Sequence, residues 1–158
     1  FKLCSKSRKM GELMKVLVQR VISSEVKVDG KIVGQSGPGL LLFVGFTETD
    51  TSKEIDYMVD KVINLRIFDD ETGVMNRSLL DINGSILSIS QFTLYADASK
   101  GRRPSYIKAL NGKKATLLYD EFNNKLKNTG IPIETGIFGA DMKVSLTNDG
   151  PVTIMLEK

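Results

Sequence analysis

At 158 residues, with 41% hydrophobic and 26% charged side chains, the chain has the size and composition of one globular domain, which excludes a disordered or fibrous polypeptide. The single cysteine, Cys4, rules out an internal disulfide, and the absence of histidine rules out a Ser-His-Asp triad and the commonest zinc ligand. The net charge of +3 sits in residues 1–13, where Lys2, Lys6, Arg8 and Lys9 face Glu12; the other 18 basic and 18 acidic residues cancel, so overall basicity is no argument for nucleic acid.

Residues 1–13 are polar, basic and aperiodic, and are expected to be a disordered extension or a remnant of non-native sequence preceding a single folded domain over 14–158. They lack the apolar stretch of a secretory signal. No apolar run approaches the roughly 18–20 residues of a membrane span. With one cysteine and no span, the expected location is the cytoplasm. Residues 14–22, rich in Val and Ile, predict a strand. Residues 25–28 and 31–34 flank Asp29-Gly30, a strong hairpin signal because the turn needs positive φ. After the Gly37-Pro38-Gly39 turn, residues 40–46 predict a central strand. Thr51 and Glu54 fit a capping box, and Ile55, Met58, Val59, Val62 and Ile63 follow at the spacing of an amphipathic helix.

Residues 65–68 predict a short strand and residues 69–73 a polar turn. Beyond Asn83-Gly84, the alternation of Ile, Leu and Ser predicts a strand over 85–95. Pro104 suits the first turn of a helix. A longer helix should carry Ala115, Leu118, Tyr119, Phe122 and Leu126 and stop near Gly130. Residues 131–138, 142–147 and 152–157 predict closing strands, the last two linked by Asn148-Asp149-Gly150-Pro151. The expected fold is mixed α and β: two mostly antiparallel sheets packed in a barrel-like core with two helical regions outside.

Charge is unevenly spread. Residues 100–127 hold eight basic side chains against Asp120 and Glu121, whereas residues 48–81 hold nine acidic against four basic. The basic stretch is either a solvated face or a phosphate-binding one. The acidic run Asp69-Asp70-Glu71 suits a turn better than a metal site, so no metal or cofactor is expected.

Three segments exceed what strands and turns require. Ser90-Gln91-Phe92-Thr93 ends an apolar strand. Lys100-Gly101-Arg102-Arg103-Pro104-Ser105 puts three cations around a glycine. Gly136-Ile137-Phe138-Gly139-Ala140-Asp141-Met142 leads to Asn148-Asp149-Gly150-Pro151-Val152-Thr153. With Val18-Gln19-Arg20-Val21, and in this order, they resemble the D-aminoacyl-tRNA deacylase family across residues 14–158.

The resemblance implies a homodimer that hydrolyses the ester of D-aminoacyl-tRNA. In it the Gly150-Pro151 step is cis and enters the partner's site to reject L-amino acids. A site that senses the α-carbon in this way excludes glycine poorly. From the motif alone, Asn-Asp-Gly-Pro is equally turn chemistry. The resemblance also implies that Ser90, Gln91, Phe92 and Thr93 line the catalytic pocket, with Phe92, Phe138 and Met142 walling the adenosine. Their alternative roles are core packing or a satisfied polar strand residue. Lys100, Arg102 and Arg103 become candidates for tRNA phosphate. Arg20 either braces the Gly-Pro loop or forms a structural ion pair. Thr93 matches a position attractive as a nucleophile, but no base adjoins it, so positioning, oxyanion stabilisation and help from the substrate ribose hydroxyl are expected instead. A nucleic-acid-binding module without hydrolysis and a small-molecule hydrolase are the competing expectations.

Overall fold

The computed structural model describes residues 13–158; the predicted extension over 1–13 therefore lies almost wholly outside the described residues. Among the described residues, eight strands and two α-helices follow one another, with the first helix after the third strand and the second after the sixth. β1 (Lys15–Val28) is a single strand that spans both the first predicted strand and the first arm of the hairpin. It turns at Asp29 and Gly30, where φ of 51° and 76° supplies the left-handed pair a tight hairpin needs, into β2 (Lys31–Ser36).

β3 (Gly39–Gly45) pairs antiparallel with the first half of β1 and is almost wholly buried. Helix α1 (Ser52–Asn64) begins at the reciprocal Thr51–Glu54 capping box and buries Ile55, Met58, Val59, Val62 and Ile63, the predicted stripe. β4 (Phe68–Asp69) and β5 (Met75–Arg77) make a two-stranded sheet of their own. β6 (Ser85–Ser90) lies parallel to β3, and β7 (Ile133–Thr135) lies parallel to β6. Helix α2 (Gly112–Asn128) makes the connection between β6 and β7 that parallel pairing requires. β8 (Lys143–Glu157) runs back along β1 for almost its whole length.

The main sheet thus follows β2-β1-β3-β6-β7, with β8 on the free side of β1. It curls until β2 meets β7: a Cβ on Gly34 would stand 2.7 Å from the Thr135 carbonyl oxygen. The core lies inside this curl and under the helices, where Leu40, Leu42, Ile86, Met58, Phe122 and Leu126 are fully buried. Emptying one such site, as in Phe122→Ala, costs about 3–5 kcal/mol.

Four local expectations change in the folded chain. The predicted strand over 85–95 stops at Ser90, and a 3-10 turn, Phe92–Tyr95, follows. Pro104 starts no helix; Asp97 and Ser105 instead exchange backbone hydrogen bonds of 2.9 and 2.8 Å and close residues 98–104 into a loop. The strand predicted over 131–138 shortens to three residues. The two strands predicted over 142–147 and 152–157 are one, because β1 is long enough to pair with both halves across the register shifts at Gln19–Ser23. None of the described helices is long and apolar enough to cross a membrane.

Candidate active site

β3 and β6 run side by side in the same direction and end together, so their carboxyl ends open one crevice, the usual place for a ligand in parallel pairing. The Gln91 N–H closes the ladder on the Val44 carbonyl at 2.8 Å. The chain then turns sharply, and the first bond of the 3-10 turn is Leu94 N–H to the Gln91 carbonyl at 3.4 Å. The N–H groups of Phe92 and Thr93 precede that first bond, as helix-start donors do.

Gly45 makes the turn possible. A Cβ there would stand 2.9 Å from the Tyr95 ring and 3.0 Å from the Gln91 carbonyl oxygen. Tyr95 is locked in place, its hydroxyl sharing its one proton between the Leu13 carbonyl at 2.5 Å and the Gly45 carbonyl at 3.2 Å.

The crevice is a cavity of about 440 Å³, lined by Ser90, Gln91 and Phe92 from one segment and by Phe138 and Met142 from another. Its size suits one small ligand. Gly136 leaves room for Met142: a Cβ there would lie 2.5 Å from the Met142 sulfur. Phe138 leans on the Tyr119 ring, 5.9 Å between centroids, and the Tyr119 hydroxyl donates to the Ser88 carbonyl at 2.7 Å. Burial pushes the Tyr119 phenol up despite those hydrogen bonds, so it stays a neutral donor.

Val44, Gly45, Phe46, Leu110, Asn111, Gly112 and Ala115 also line the cavity, and sequence reasoning missed them. The signal for the last three was present: Asn111, Gly112 and Ala115 open α2, whose Asn111 makes no side-chain cap bond, so the positive end of the helix faces the crevice. Asp141 stands at the rim with its carboxylate 3.0 Å from the Lys143 ammonium.

Thr93 is not among the residues that line this cavity; its hydroxyl accepts a short hydrogen bond from the Gln91 amide. The nearest carboxylate along the chain, Asp97, accepts from Ser99, and those bonds hold it below the ordinary carboxylate value.

A sequence model described as D-Tyr-tRNA(Tyr) deacylase matches residues 17–157. The chain belongs to that family. A D-aminoacyl-tRNA deacylase of Clostridium kluyveri is 56% identical over 144 residues, 91% of this chain and 97% of that protein. One of Bacillus velezensis is 51% identical over 91% of this chain and 98% of its own length. Among solved structures, one described as c-Myc DNA Unwinding Element Binding Protein is 41% identical, covers 92% of this chain and 99% of its own, and superposes with a TM-score of 0.87. A probable eukaryotic D-amino acid tRNA deacylase, 18% identical, shares the fold with a TM-score of 0.78 over 92% of this chain and all of its own.

The other residues that carry the deacylase resemblance lie away from the cavity of their own chain. The Gly150–Pro151 peptide is cis, and both residues are exposed midway along β8. Arg20, on β1 and 8% exposed, reaches that segment: its Nε donates to the Asp149 carbonyl at 3.0 Å and its Nη1 to the Ile67 carbonyl at 2.7 Å. The Asp69 and Asp149 carboxylates stand 3.7 and 3.6 Å from it. Arg20 therefore makes both kinds of contact that the sequence leaves open. Gly150 has φ of 127°, and a Cβ there would lie 2.9 Å from the Arg20 guanidinium, so this position needs glycine twice over. Lys100, Arg102 and Arg103 are exposed on the loop that Asp97 and Ser105 close.

Proposed function

We propose that this chain is a cytoplasmic homodimeric esterase that hydrolyses D-aminoacyl-tRNA, releasing the D-amino acid and tRNA in chiral proofreading. One observation carries the reading. The Ser90–Phe92 and Phe138–Met142 segments, far apart in sequence, wall one mostly apolar cavity in a chain that matches the deacylase family over residues 17–157. Phe92, Phe138 and Met142 hold the terminal adenosine there, and Ser90, Gln91 and Thr93 frame the ester. The Phe92 and Thr93 N–H groups receive the oxyanion, as preorganised donors do.

Water is the nucleophile, and the neighbouring ribose hydroxyl of the substrate assists its attack. The Thr93 hydroxyl accepts from the Gln91 amide, which supports a positioning role without an acyl-enzyme. The exposed Gly150–Pro151 segment, braced by Arg20, is presented to the cavity of a second copy, where its carbonyl oxygens meet the substrate ammonium and leave no space for the L-isomer. Glycine, which lacks the distinguishing substituent, is excluded poorly. Lys100, Arg102 and Arg103 contact tRNA phosphates without reading bases.

Incubation with D-tyrosyl-tRNA and L-tyrosyl-tRNA tests the reading: selective loss of the D-ester is expected, and release from neither refutes it. The relative described as a DNA unwinding element binding protein favours a second reading, nucleic-acid binding without hydrolysis. That reading predicts retention of both charged tRNAs without release of amino acid.

A further inference from the structure

We infer that Tyr106, with Phe92, forms a stacking subsite for the nucleotide immediately 5′ of the terminal adenosine, a cytidine in tRNA. The inference rests on the deacylase reading and extends it to a residue outside the cavity. Phe92 and Tyr106 meet edge to face, their centroids 5.1 Å apart and their planes at 70°. Phe92 lines the cavity yet is 46% exposed, so it marks the mouth through which a strand held inside must leave. Tyr106, 38% exposed and not part of the cavity lining, is the ring that Phe92 touches there.

The geometry ties this aromatic step to the basic loop. Asp97 and Ser105 close the loop with two backbone hydrogen bonds, so Lys100, Arg102 and Arg103 project from a neck that leads directly into Tyr106. Past Tyr106 the chain is held again, because the Thr47 hydroxyl donates to the Lys108 carbonyl at 2.7 Å. Tyr106 is thus fixed between two anchors, directly after the basic loop in the chain and in ring contact with Phe92 at the cavity mouth. Exposed rings beside backbone-tracking cations are the recurring platform for single-stranded nucleic acid, since every base has a face to stack. The tRNA acceptor ends in such an unpaired strand. A cavity sized for one nucleoside leaves the next base outside, at Tyr106.

Three substrates that differ only in length test this: D-tyrosyl adenosine, D-tyrosyl cytidylyl-adenosine and D-tyrosyl-tRNA. In the unaltered enzyme the added cytidine should raise kcat/KM by about tenfold, the scale of one base stacked on an aromatic ring. Tyr106→Leu, which keeps an apolar contact for Phe92, should bring that ratio close to one. Tyr106→Phe should preserve it. A gain that persists in Tyr106→Leu overturns the inference, as does an equal loss on all three substrates, the mark of a merely structural role. An unchanged ratio with an altered oligomeric mass assigns the ring to a protein interface and overturns it as well. Absence of any cytidine gain in an enzyme that still cleaves D-tyrosyl-tRNA defeats the subsite alone. Cleavage of none of the three defeats the deacylase reading itself.

Discussion

Replacing Arg20 by methionine isolates what holds the Gly150–Pro151 segment. Methionine refills much of the stem volume but removes every donor. Two charge-assisted hydrogen bonds disappear, to the Asp149 and Ile67 carbonyls, and each is worth roughly 1.5–3 kcal/mol. The carboxylates of Asp69 and Asp149 add little, because their side chains are 54% and 52% exposed and water screens such pairs to about 0–1 kcal/mol. The expected loss is therefore about 3–5 kcal/mol, the scale of breaking a buried charged contact. In a chain of this length each kcal/mol moves Tm by about 2–4 °C, so the midpoint should fall on the order of 10 °C. Asp149→Ala serves as the control, since its bond to Arg20 runs through the main chain; it should cost less than about 1 kcal/mol. Deacylation of D- and L-tyrosyl-tRNA, measured well below both midpoints, should show reduced activity and reduced preference for the D-ester in Arg20→Met only. A methionine variant that melts within about 2 °C of the parent and keeps its preference refutes the reasoning.

Other perturbations follow from the same geometry. Gly45→Ala should destabilise by about 1–3 kcal/mol through overpacking against Tyr95, and should lower kcat more than it raises KM, because the 3-10 turn carrying Phe92 and Thr93 must shift; an unaltered kcat contradicts this. Thr93→Ala should keep kcat within about tenfold, whereas removal of an essential nucleophile costs far more; an acyl group found on Thr93 by mass spectrometry would falsify the water mechanism. Changing Lys100, Arg102 and Arg103 to glutamine should weaken tRNA binding and reduce the slope of log affinity against log salt by about 0.7 per lost phosphate contact; an unchanged slope excludes that role.

Acid stability has a definite sign. Asp70 accepts from Thr72, Val74 and Asn76, and Asp81 from Ser78, bonds that hold both carboxyls below 3.8 in the folded chain. Their stabilisation is complete above the unfolded value and fades as pH falls through the folded ones. Urea midpoints should therefore stay level from about pH 5 to 7.5, with no histidine to titrate there, and decline below about pH 4. Asp81→Asn should shallow that decline, and an inflection near neutrality contradicts the account.

Much of the chain was legible because its causes are local. The Thr51–Glu54 box, the Asp29-Gly30 hairpin and the stripes on α1 and α2 involve residues within a turn or two of each other, and period and propensity describe such distances well. The segments carrying the family resemblance were visible for a different reason: they exceed what a strand or loop needs.

The places where expectation and structure part are those decided from far away. Residues 85–95 alternate like one strand throughout, yet the strand ends at Ser90 because Tyr95 bonds to carbonyls of Leu13 and Gly45, 82 and 50 residues distant in the chain. Residues 142–157 contain a turn signal at Asn148–Pro151, yet β1 pairs with both sides and keeps one strand. The parallel placing of β3, β6 and β7 leaves no trace in hydrophobic period, since alternation is the same whichever way a neighbour runs. Sequence alone determined the class of fold, the helices and the residue types available for chemistry. Only the tertiary structure decided which met, bringing Phe92 and Phe138 to one cavity and leaving Gly150 and Pro151 outside it, because long-range strand pairing, not local preference, sets those positions.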